Sequence, residues 1–164
     1  MSKRLPPMTL SPLLALLLLA AQPPAAPAGP EQFFVGRTEG SGTVHIILTG
    51  RHAVRDRARG RIERGGTLVI DQVVEEAGKP ARNRVWRLTR TGNRIAGTIS
   101  DARGPVTGEV AGNVLHLRYR SAEGPSVEQW ITLHPNGRTG TNRMVFRRFG
   151  LTVATVESTI RRVE

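Results

Sequence analysis

Between Arg84 and Tyr119 the chain reads RVWRLTRTGNRIAGTISDARGPVTGEVAGNVLHLRY, a set of short alternating apolar runs. Thr91-Gly92-Asn93, Arg103-Gly104-Pro105 and Ala111-Gly112-Asn113 separate them, and such turn signals between period-2 runs mark an antiparallel meander. No run after the first 28 residues has a helical period. The expected fold is therefore all-β: an antiparallel up-and-down barrel of about eight to ten strands. Hairpin-length connections favour it over a sandwich, whose Greek keys need long crossovers.

The opening segment does not belong to that pattern. Lys3 and Arg4 precede an apolar run, Leu10 to Ala21, and small residues and prolines follow. This is the layout of a secretory signal peptide, too short for a comfortable membrane span. Ala26-x-Ala28 places the cut after Ala28, with Ala21 as the alternative, leaving 29–164 as one barrel domain. The chain has no cysteine, so neither a disulfide framework nor a lipid-modified cysteine is available to it. A periplasmic protein stabilised by its core, and not a lipoprotein, is the expectation.

The formal charge is +11, almost all from arginine. Export argues against nucleic acid as the partner and leaves an anionic membrane surface or an acidic partner. Arg55, Arg57, Arg59 and Arg61 alternate with Val54, Ala58, Gly60 and Ile62, which puts the four arginines in one outward row.

Other strands are expected near Thr43–Thr49, Thr67–Glu76, Asn83–Arg90, Arg94–Ser100, Val106–Val110, Leu115–Arg120, Val127–His134 and Leu151–Arg161. Gly36, Gly40 and Gly42 read as a loop, and Asn142–Phe149 as either a helical turn or a strand. Glu31 to Phe34 reads as one helical turn that tucks two phenylalanines into a barrel end.

Nothing resembles a catalytic motif, and no residue pattern calls for a metal or cofactor. His45, His52, His116 and His134 lack ligand spacing and read as surface residues. Sharper candidates lie where charge meets an apolar face. Arg84 is in phase with Trp86 and Leu88, and Asp101 continues Ile95, Gly97 and Ile99 on the next strand. A lone buried charge is costly, so Asp101 is the natural partner of Arg84. Asp71 sits among valines and isoleucine, while Leu117 and Tyr119 complete an inward face. The group is either a structural ion pair or a polar centre in an apolar cavity, able to orient an amphiphile.

Phe33-Phe34-x-Gly36, Thr67-Leu68 with Asp71, Arg84-x-Trp86-x-Leu88, Asp101-x-x-Gly104 with Gly108, Gly112-Asn113 and Tyr119 occur in that order. Trp130, Asn142-x-Met144 and Phe149-Gly150 follow. Together they resemble the bacterial domain of unknown function 3833 family, over Phe33 to Arg162. The resemblance implies an exported protein with a lipocalin-like (calycin) barrel, no established activity and an acyl or lipid-like ligand. It adds Trp130 and Asn142 to the candidate interior. The chain departs from the family in lacking the lipid-anchoring cysteine, and Glu128-Gln129 stands where an acidic pair commonly precedes the tryptophan.

Three functions follow, in descending order. The first is a periplasmic binder of a hydrophobic or amphiphilic small molecule. The second is an envelope protein whose arginines contact anionic lipid or an acidic partner. The third is a lipid-modifying enzyme using Asp71 or Asp101 as acid or base.

Overall fold

A computed structural model describes residues 29–163; the signal peptide expected over 1–28 lies outside the described residues. A 3-10 helix, Pro30–Phe34, leads into β1 (Gly36–Ile46), β2 (Gly50–Ile62), β3 (Leu68–Glu76), β4 (Arg82–Thr91) and β5 (Arg94–Ile99). There follow β6 (Val106–Ala111), β7 (Val114–Arg120), β8 (Ser126–Leu133), β9 (Thr139–Arg148) and β10 (Leu151–Val163). Each strand pairs antiparallel with its sequence neighbour, and β1 pairs with β10 to close a ten-stranded barrel.

Alternation builds this wall. In β7, Leu115, Leu117 and Tyr119 are buried inside, while Arg118 and Arg120 are exposed outside. In β2 the four arginines form the expected outward row. Arg57 reaches Glu75 at 2.7 Å and Arg61 reaches Asp71 at 2.6 Å, so acids on β3 offset part of the row's charge. A bulge between Thr152 and Ala154 shifts the register of β10 against β9, a common device for bending a barrel strand.

Two expectations change. Gly36, Gly40 and Gly42 lie within β1 rather than in a loop, and β1 ends at Ile46, so Leu48 sits in the turn and not on a strand. The physical reason is crowding. A methyl group on Gly40 would strike the Asp56 carboxylate across the pair, and one on Gly42 would strike the backbone of β10. Residues without a Cβ are what let this strand carry its neighbours. The ambiguous stretch from Asn142 lies on β9, with Asn142, Met144 and Phe146 facing inward.

One end of the barrel is plugged. Phe33 and Phe34 from the 3-10 helix pack edge to face at 5.3 Å and join Leu68, Leu88, Ile95 and Leu115 in the core. Arg90 grips Glu31 at 2.9 Å, and Arg162 donates to the Val35 carbonyl at 2.9 Å, so two strands hold the plug. The opposite end, formed by the β1–β2, β3–β4, β5–β6, β7–β8 and β9–β10 turns, is open.

Candidate functional site

Above the plug the barrel encloses a chamber of about 680 Å³. Ile70, Trp86, Leu117, Ile131, Met144 and Val156 supply apolar wall, each on the inward phase of its strand. Polar side chains along the chamber form three hydrogen-bonded groups.

The first joins three strands. Trp86 donates through Nε1 to Gln72 Oε1 at 2.9 Å, and Gln72 donates through Nε2 to Asp56 Oδ2 at 2.9 Å. Burial pushes the Asp56 carboxyl above its usual range, against the opposing pull of the Gln72 hydrogen bond and the Arg84 charge.

The second is the Arg84–Asp101 pair. Its two donor contacts, Nε at 2.8 Å and Nη2 at 2.7 Å, both fall on Asp101 Oδ2. Asp101 Oδ1 is buried without a hydrogen-bond partner. Tyr119 lies close by, edge-on to Trp86 at 5.6 Å. Burial pushes its phenol up to about 12 against the lowering pull of the neighbouring Arg84 guanidinium, and its buried hydroxyl has no well-formed hydrogen bond.

The third crosses β8, β9 and β10. Gln129 donates to Asn142 Oδ1 at 2.8 Å, and Asn142 donates to Ser158 Oγ at 3.1 Å. Gln129 Oε1 is buried and unpartnered. A buried polar atom without a partner costs roughly 1–3 kcal/mol.

Of the residues singled out in the sequence, Arg84, Trp86, Asp101, Leu117, Tyr119 and Asn142 line this chamber. Asp71 and Trp130 do not. In β3 the inward set is Leu68, Ile70, Gln72 and Val74, so Asp71 points outward to Arg61. Both faces of that strand are apolar, which hid the phase; pairing of Ile70 with Trp86 fixes it. In β8 Val127, Gln129 and Ile131 face inward, and Trp130 lies outside. There it stacks on His116 at 4.8 Å, with the Arg143 guanidinium 5.9 Å from its ring centre. These two neighbours cover an indole that the alternation excludes from the core.

Sequence reasoning passed over Asp56, Gln72, Gln129 and Ser158. Asp56, Gln129 and Ser158 could have been found by phase alone, since Asp56 lies between Val54 and Ala58, Gln129 between Val127 and Ile131, and Ser158 between Val156 and Ile160, whereas Gln72 shares the hidden phase of β3. At the mouth, His52 meets Glu76 at 2.5 Å rather than standing alone on the surface. Burial raises the Glu76 carboxyl, but Lys79 and His52 outweigh it and leave the group below the usual glutamate value.

The family model described as Protein of unknown function (DUF3833) matches residues 22–162. No curated protein matches the sequence. Among solved structures, the S-type phycobiliprotein lyase CPES from Guillardia theta is similar with a TM-score of 0.66 at 11% identity, over 84% of this chain and 94% of that one. A protein of unknown function from the DUF3598 family, from Nostoc punctiforme PCC 73102, is similar with a TM-score of 0.62 at 12% identity. That match covers 80% of this chain and 48% of the other. At such identities the likeness establishes the lipocalin-like barrel and nothing about activity.

Proposed function

The chain belongs to the family Protein of unknown function (DUF3833), and within that family we propose that it binds a hydrophobic or amphiphilic small molecule in its chamber. One observation carries the reading. The chamber of about 680 Å³ is walled by apolar side chains yet carries the polar side chains of Gln72, Arg84, Gln129 and Asn142 among its lining. That volume falls among sites for small organic ligands, about 300–1,000 Å³. An apolar skeleton would lie against Ile70, Leu117 and Met144, with a polar head group turned to Gln72 and Arg84. The basic, apolar leader supports export to the periplasm as the place of action.

Organic extraction of the purified protein followed by mass spectrometry tests the reading, alongside titration with a fluorescent fatty-acid probe followed by tryptophan emission. Trp86 is inside and Trp130 outside, so the emission change on binding should survive Trp130→Phe and vanish with Trp86→Phe. No extracted molecule together with no saturable probe binding would overturn it.

A further inference from the structure

Four large apolar side chains are strongly exposed at the mouth: Ile47 (55%), Leu48 (94%), Phe149 (96%) and Leu151 (72%). They come from only two turns, and those turns are neighbours, because β1 pairs with β10 and the Ile47 N–H donates to the Val153 carbonyl at 3.1 Å. The other exposed large apolars among the described residues, Ile62 and Val85, are dispersed, one at the plugged end of β2 and one on the outer wall. Isolated exposed leucines are ordinary; a contiguous apolar tip is not. Phe149 also holds a positive φ of 51°, which a non-glycine residue adopts at a cost.

Beside Phe149 runs a groove lined by Arg120, Arg147 and Arg148, with Glu123 as its carboxylate. Arg148 is held by the Glu123 carbonyl at 2.8 Å and Arg120 by the Gly124 carbonyl at 3.4 Å. Backbone oxygens orient these guanidinium groups without neutralising them. Arg147 is instead paired with Glu128 at 2.7 Å. Exposed Arg51 adds charge at the start of β2.

We propose that the open end of the barrel docks on an anionic lipid bilayer. Leu48 and Phe149 enter the headgroup–acyl boundary while Arg120 and Arg148 meet the phosphates. An apolar tip flanked by uncompensated arginines matches the layering of a lipid surface, apolar below and anionic above. Docking would set the chamber mouth against the membrane, and it stands independently of what the chamber holds.

The test uses the full chain, whose lack of cysteine allows single reporters to be introduced. Leu48→Cys at the mouth and Thr91→Cys at the plugged end are each labelled with an environment-sensitive fluorophore. Vesicles of equimolar phosphatidylethanolamine and phosphatidylglycerol should blue-shift the Leu48 label, and pure phosphatidylcholine should not. The Thr91 label should respond to neither, and added salt should reverse the shift. Arg120→Gln and Arg148→Gln should each weaken the vesicle midpoint about five-fold. Leu151→Cys provides a second mouth reporter if L48C fails to fold. Equal responses at the two ends, or midpoints unmoved by both glutamines, would overturn the proposal. Silence at both mouth positions would also overturn it and make the rim a protein-binding surface.

Discussion

Arg84 places both of its donor contacts on a single oxygen of Asp101, at 2.8 Å and 2.7 Å, and leaves the other oxygen buried and unmet. The pair is therefore held at one end and unfinished at the other. Asp101→Asn keeps an acceptor but removes the counter-charge of a guanidinium that is only 11% exposed. Breaking a fully buried pair costs about 3–5 kcal/mol, and the partial exposure of Asp101 brings the expected loss nearer ~2 kcal/mol. The double replacement Arg84→Met with Asp101→Leu should lose less than the two single changes combined. Urea denaturation across this cycle decides it, and an Asp101→Asn variant as stable as the parent would remove the pair from the account.

Gly60 lies directly beneath the plug, where an added methyl would collide with the Phe34 carbonyl. Gly60→Ala should destabilise the barrel by about 1–3 kcal/mol and loosen the 3-10 helix. Hydrogen exchange at Val35, whose amide bonds to the Gln32 carbonyl at 3.1 Å, should accelerate more than exchange in β7. Uniform acceleration throughout the barrel would contradict a local plug.

Asp56 should make stability fall as pH rises. Its folded-state pKa is raised above the ordinary 3.8, so the native protein holds that proton more tightly than the unfolded chain does. Its stabilising contribution is full below 3.8 and fades as pH climbs through the raised value. Asp56→Asn keeps an acceptor for Gln72 and abolishes the titration. The variant should melt with the parent in acid and a few degrees above it at neutral pH. Glu76→Gln should show the opposite profile, because a lowered pKa stabilises above 4.5 and that benefit is lost as pH falls. Melting curves over a pH series check both signs.

Tyr119→Phe separates structural from ligand-binding roles. Removing a buried hydroxyl that has no well-formed hydrogen bond should stabilise the empty protein by about 1 kcal/mol. If a ligand satisfies that hydroxyl, the same change weakens probe binding about five- to ten-fold. Increased stability with unchanged affinity would exclude Tyr119 from the site.

Much of this arrangement was legible in the chain. Clean alternation in β4 and β7 gave the inward phase of Arg84, Trp86, Leu117 and Tyr119, and turn glycines marked most hairpins. Phase failed where both faces of a strand are apolar, as around Asp71, and where a large aromatic invites burial, as at Trp130. In each case cross-strand register decided, and register depends on a partner far along the chain. The chamber itself follows from strand number and from small residues opposite larger ones, such as Gly40 facing Asp56. Composition carries no trace of it. Clustering of Leu48 and Phe149, which lie far apart in the chain, appears only once the first and last strands are paired.

That last pairing has a consequence for how the molecule is made. β1 runs beside β10 from Arg37↔Val163 to Ile46↔Ala154, so the seam joins nearly the two extremes of the domain. Until β10 leaves the ribosome, β1 and β9 are bare edges, and the growing chain holds an open ribbon with no way to finish. Closure waits for β10. The barrel becomes a vessel only once its first and last strands meet.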